Sequence, residues 1–176
     1  NTGYLDIKNR VSANYSTRNI SNSFVRRVYI KLFLDMGEYQ KAINIYKEEL
    51  KDNPNSMQLR YELGNLYFLN KQYEECLVVL KEILAVDEKL AFVDYNLLDI
   101  RVGYCYYFLG QHDKAFGYFK SALPVAGALK GLKLLEAYYI KSDQKQKAFV
   151  CKDTVERAIK AKKLKITLAK GGNYII

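Results

Sequence analysis

The chain has no tryptophan, one histidine, two prolines and three cysteines among its 176 residues. No set of acids, bases and nucleophiles is recognisable as converging on a pocket, and the single histidine, His112, reads as a ring packed between two helices and not as a catalytic or ligand residue. Cys76, Cys105 and Cys151 are neither a disulfide framework nor a zinc pattern, because they lack paired spacing. Gly171-Gly172 has no strand–loop–helix context and no Lys-Ser/Thr pair, so it reads as a turn and not a phosphate loop. No apolar stretch approaches the roughly 20 residues that cross a bilayer as a helix. These absences point away from an enzyme and from any cofactor or metal. The sequence opens on Asn1 and not Met, as a processed form or an excised piece would, so the absence of a signal peptide carries no information.

What is present is helical. With 49% apolar residues and only two prolines, the chain can bury a sizeable core and rarely interrupts itself. Residues 61–84 read as two amphipathic helices in tandem. Leu63, Leu66, Tyr67 and Asn70 share one face; Tyr73, Cys76, Leu77, Leu80, Ile83 and Leu84 share the next. The polar link Asn70-Lys71-Gln72 is short, so the two helices must fold back as an antiparallel pair. One pair leaves part of its apolar face uncovered and needs similar neighbours.

The sequence supplies them. Moving back 34 residues turns Tyr73, Cys76 and Leu80 into Tyr39, Ala42 and Tyr46; moving forward 39 gives His112, Ala115 and Phe119. Lys71 meets Gly37 and Gly110, where glycine suits a left-handed helix stop. At Leu63-Gly64, Tyr67, Tyr73, Cys76 and Leu80 the sequence resembles the tetratricopeptide repeat family. The first repeat adds Gly37, Tyr39, Ala42, Tyr46 and Pro54; the third adds Gly103, Tyr106, Gly110, His112, Ala115, Phe119 and Ala122. A fourth unit starts near Leu129, with Lys152 in place of an aromatic and Glu136 in place of a small residue. The resemblance implies an all-α fold of antiparallel helix hairpins stacked in a right-handed solenoid. Its expected limits are a leading segment 1–22, helix pairs at about 23–56, 57–90, 91–128 and 129–162, and a tail 163–176.

Three regions depart from the repeat. Tyr4, Ile7, Val11 and Tyr15 give the leading segment the spacing of a short helix. The third repeat carries five extra residues within Lys89–Leu98. The stripe Leu90, Val93, Leu97 and Ile100 predicts a longer first helix there, with an added loop as the alternative. Leu164–Leu168, Gly171-Gly172-Asn173 and Tyr174–Ile176 alternate and turn as a small C-terminal β-hairpin would.

In the family the exposed face of each pair's first helix lines a concave groove that meets the partner. Carried over, that face holds Phe24, Arg27 and Lys31 with Leu34, then Tyr61, Asn65 and Phe68, then Arg101, Tyr104 and Tyr107 with Leu97 and Ile100, then Lys130 and Lys133 with Ile140. Arg27, Asn65 and Arg101 match remnants of the family's carboxylate clamp, but Glu62 and Leu97 stand where an amide and a cation belong. The mixture is an aromatic groove with a cationic rim, suited to another protein's helix or extended peptide that carries acidic residues.

Net charge is +9. Between Lys141 and Lys170, ten Lys and Arg face three acids, a net +7. The alternative function follows from this basic helix: attachment to an anionic membrane surface, an acidic partner or nucleic acid. Lysine far outnumbers arginine and few aromatics interleave, which argues against nucleic acid. A Lys- and Asn-rich scaffold of this size suits a bacterial cell envelope, on the periplasmic side, or the cytoplasm equally.

Overall fold

The computed structural model describes residues 23–169, with side chains over 25–163. The leading segment 1–22 and the residues from Lys170 onward lie outside the described residues, as does the Phe24 side chain. Eight helices follow in order: α1 Ser23–Met36, α2 Tyr39–Asp52, α3 Met57–Leu69, α4 Tyr73–Leu84, α5 Tyr95–Phe108, α6 His112–Ser121, α7 Ala126–Lys141 and α8 Lys145–Ala169. No strand occurs among the described residues. The chain divides into two compact units, Asn1–Glu88 and Lys89–Ile176. α1–α4 belong to the first and α5–α8 to the second.

Each hairpin closes the same way. Gly37, Lys71, Gly110 and Asp143 have φ of 71°, 59°, 73° and 54°. Around Lys71, its N–H donates to Phe68 O at 3.1 Å and the Gln72 N–H donates to Tyr67 O at 2.9 Å. Gly110 and Gln111 repeat this on Tyr107 and Tyr106 at 3.1 and 2.8 Å, and Asp143 and Gln144 on Ile140 and Tyr139 at 3.2 and 2.8 Å. These are the paired bonds of a helix that stops at a left-handed residue and satisfies its last carbonyls. Between α2 and α3 the chain turns at Pro54, and Ser56 caps α3 by accepting from the Leu59 N–H at 3.3 Å.

In the first unit the core is built from Phe33, Ala42, Ile43, Cys76, Leu80 and Ile83, each 0% exposed. The small-residue positions work as the spacing implies. Cys76 sits against α3 closely enough for its Sγ to reach the Gly64 carbonyl at 3.3 Å. In the second unit Ala115, Phe119, Leu132 and Leu135 are fully enclosed. Phe119 is the wedge. A Cβ built on Gly103 of α5 would lie 2.7 Å from its ring, and one on Gly131 of α7 would lie 2.5 Å away. The ring therefore occupies space that two helices leave free by having no side chain there.

Two sequence expectations need correction. Lys89–Asp94 does not extend the third pair's first helix; it is a loop, and α5 starts at Tyr95. The Asp94 side chain takes the Leu97 N–H at 3.1 Å, an N-cap that sets the helix start. Ahead of it the Val93 N–H turns back to Leu90 O, and the Leu90 N–H donates to the Tyr95 hydroxyl, both at 3.0 Å. Val93 is buried because the loop folds inward, not because it lies on a helix. The C-terminal hairpin also fails over its first strand, since Leu164–Leu168 continues α8. Extending a helix adds one hydrogen bond per residue with no new nucleus, whereas an isolated two-stranded hairpin is barely stable. The remainder of that hairpin lies outside the described residues.

Candidate partner-binding faces

In the first unit α3 presents Tyr61, Asn65 and Phe68 at four- and three-residue steps, on one face and all half-buried. Phe68 meets Tyr73 edge-on at 6.1 Å. Asn65 is the unusual member. Its amide oxygen is buried, and among the described residues it has no hydrogen-bond partner. An unmet buried acceptor costs roughly 1–3 kcal/mol, so it is a liability for the fold alone. On α1, Arg27 and Lys31 are exposed.

Arg27 borders an open cleft of about 280 Å³ whose other walls include Ile30, Tyr46, Glu49, Leu59 and Glu62. Inside it the Tyr46 hydroxyl donates to the Glu62 carboxylate. Burial and then that carboxylate push the Tyr46 pKa far above its usual value. Burial also raises the Glu49 carboxyl, opposed by Arg26, whose guanidinium lies 3.8 Å away. The charge on this side of the first unit is therefore mixed: Arg27 shares its cleft with two carboxylates.

In the second unit α5 and α7 pack side by side. Arg101, Tyr104 and Tyr107 of α5 are half-buried, and Lys130 and Lys133 of α7 are exposed. Tyr104 has a second task. Its hydroxyl donates to the Gly127 carbonyl of α7 at 3.2 Å, and its ring meets Phe119 edge-on at 4.9 Å. Burial raises its pKa, with Tyr107 adding to the rise. Tyr104 thus pins α5 to α7, a role that helical spacing alone does not reveal. Tyr107 contacts Phe108 and His112 at 5.5 and 5.4 Å. Sequence reasoning passed over Phe108 and Tyr138, which are 52% and 37% exposed. Their signal was present as aromatic side chains one helical turn from Tyr104 and beside Tyr139.

His112 is a packed ring, stacked on Tyr138 at 3.7 Å with Tyr107 and Tyr139 at its edges. Burial lowers its pKa, Asp113 opposes this, and Lys147 adds to it. Next to it Lys147 donates to Asp113 at 2.6 and 2.8 Å, and the Tyr139 hydroxyl donates to the same carboxylate at 2.8 Å. This network joins α6, α7 and α8 beside an open cleft of about 180 Å³ lined by Phe116, Val150 and Cys151. Burial, then Glu136, pushes the Cys151 thiol up to about 11, so it stays protonated at neutral pH.

The hairpins, their left-handed turns and their small-residue contacts have a counterpart among known proteins. Residues 33–91 match the family model described as tetratricopeptide repeat. That stretch is similar to tetratricopeptide repeats. Among solved structures, "MamA MSR-1" is 15% identical with a TM-score of 0.64, covering 92% of this chain and 90% of that one. "MamA 41-end", from Desulfovibrio magneticus RS-1, is 18% identical with a TM-score of 0.60, covering 91% and 95%. "MamA AMB-1" is 16% identical with a TM-score of 0.61, covering 90% and 84%. At these identities the likeness is one of fold. No curated protein matches the chain in sequence. The match over residues 33–91 supports a protein–protein interaction scaffold as the coarse function.

Proposed function

We propose that each unit offers its first-helix faces to a segment of another polypeptide, helical or extended, and that the chain works without catalysis. In the first unit Tyr61 and Phe68 flank the segment while the Asn65 amide oxygen accepts one of its N–H groups. Arg27 and Lys31 there, with Arg101, Lys130 and Lys133 in the second unit, suit acidic side chains on the partner. Tyr107 adds aromatic contact area at low entropic cost. The observation that carries this reading is the Asn65 oxygen, buried on the helix face that also carries Tyr61 and Phe68 and unmet among the described residues. A donor supplied by a partner removes that cost, so binding gains what folding gives up.

The test compares wild type, Asn65→Ala and Tyr61→Ala/Phe68→Ala by affinity purification from the native cell, followed by titration with the recovered partner. Asn65→Ala is expected to weaken binding by about tenfold or more while leaving the urea midpoint unchanged or higher. Partner retention at wild-type strength, or loss accompanied by a lower midpoint, would show that Asn65 serves the fold.

A further inference from the structure

The fold uses only one side of α8. Ala148, Cys151 and Val155 turn inward and are 6%, 1% and 5% exposed. At about 100° per residue, Lys145, Phe149, Lys152, Ile159, Lys160 and Lys163 gather within roughly a third of the helix circumference on another side. All six are exposed, Phe149 at 63% and Ile159 at 37%. Glu156 is the one acid in that arc. Asp153, further round, pairs with Arg157 at 2.9 Å, and Lys145 reaches Asp143 at 3.4 Å. From Lys145 to Lys163 the stripe runs about 27 Å.

A merely solvated face has no use for an aromatic ring two-thirds in water. Its position among four lysines is the informative part, because it pairs apolar contact with charge of a single sign. We propose that this face of α8 lies on an anionic lipid bilayer. Phe149 and Ile159 enter the boundary between headgroups and acyl chains, and the lysines reach acidic headgroups over apolar stems. The contact is parallel to the surface, since no described helix is long and apolar enough to cross a membrane. Charge complementarity favours an acidic bilayer over neutral lipid. The protruding ring favours lipid over nucleic acid, because a lone Phe149 beside lysines offers no row of aromatics for successive bases to stack on. The stripe shares no residue with the faces that carry Asn65 and Tyr107.

The experiment is co-sedimentation of the full chain with phosphatidylcholine vesicles, with and without phosphatidylglycerol. Binding is expected only when phosphatidylglycerol is present. Lys152→Glu/Lys160→Glu should reduce it by about tenfold or more, since each lysine near an acidic surface strengthens attachment several-fold. Lys51→Glu/Lys89→Glu changes net charge equally at exposed sites off the helix and should have a much smaller effect. Phe149→Ser should weaken binding several-fold without altering its salt dependence. Asn65→Ala should pellet like wild type, which separates this surface from the proposed groove. Equal losses from the two charge-reversal pairs, or a silent Phe149→Ser together with equal binding to a single-stranded oligonucleotide, would overturn the proposal. So would failure to pellet with acidic vesicles.

Discussion

The Phe119 wedge gives the strongest test of the packing. Phe119 is 0% exposed, and its ring occupies the space facing Gly103 and Gly131. A methyl at Gly131 would stand 2.5 Å from the ring, well inside van der Waals contact. The ring cannot simply step aside, because Gly103 and the Tyr104 ring hem it in. Gly131→Ala should therefore cost about 1–3 kcal/mol of overpacking, set against a gain of roughly 1 kcal/mol from alanine's better helix propensity. Gly117, also helical, has nothing within 4 Å of an added Cβ, so Gly117→Ala should show the gain alone. In thermal melts the two variants should move in opposite directions, each kcal/mol being worth about 2–4 °C in a domain of this size. Phe119→Ala alone should cost about 3–5 kcal/mol. Phe119→Leu, which vacates ring space, should cost less in the Gly131→Ala background than in wild type, a coupling a double-mutant cycle measures. If Gly131→Ala and Gly117→Ala raise the melting temperature equally, Phe119 is not clamped by the two helices and the packing described for the second unit is wrong.

Four further variants can be checked by urea denaturation. Lys71→Gly should stabilise the chain by roughly 0.5–1 kcal/mol, because a lysine held at φ of 59° pays a steric cost glycine avoids; Asp143→Gly should gain less, since aspartate tolerates that region better. Asp94→Ala should cost about 1 kcal/mol through loss of the α5 cap, and an unchanged midpoint would mean the start of α5 is set elsewhere. The lowered His112 pKa has a definite sign: the unfolded chain takes up this proton first. Its contribution is complete above the ordinary histidine value of about 6.5 and declines as pH falls below it toward the lower folded value. His112→Tyr should flatten the fall in midpoint between about pH 7 and 5, and an unaltered slope would show that the ring is not desolvated.

Much of the architecture was legible because hairpin repeats write themselves in register. Gly37 and Gly110 announced two turns, and alignment placed Lys71 at a third, since a left-handed stop needs one residue at one offset. Asp143 at the fourth turn was harder to see, because nothing about an aspartate demands that conformation. The loop before α5 was misread for a physical reason: Leu90, Val93 and Ile100 fit a helical stripe, and burial looks the same whether a residue sits on a helix or in an inward-folded turn. The local chemistry of Asp94 carried the better signal. Leu164, Ile166 and Leu168 alternate as a strand would, yet α8 runs through them, because growth from an existing helix outweighs a weak local pattern. The faces of α3 and α5 could be listed from spacing, but not the division of labour within them. Tyr104 and Tyr107 carry the same side chain on the same helix, and only the Gly127 carbonyl and the Phe119 ring separate a packing tyrosine from one with area to spare.

The four closing turns have an implication for how such a chain changes length. Each is completed by backbone groups no more than five residues apart, so a hairpin carries the instructions for its own reversal and borrows none from the next. Duplication or loss of a stretch of some 34 residues therefore leaves every remaining reversal intact. The unit of inheritance in this chain is the self-closing hairpin, and its surface chemistry can diverge copy by copy without putting the chain's path at risk.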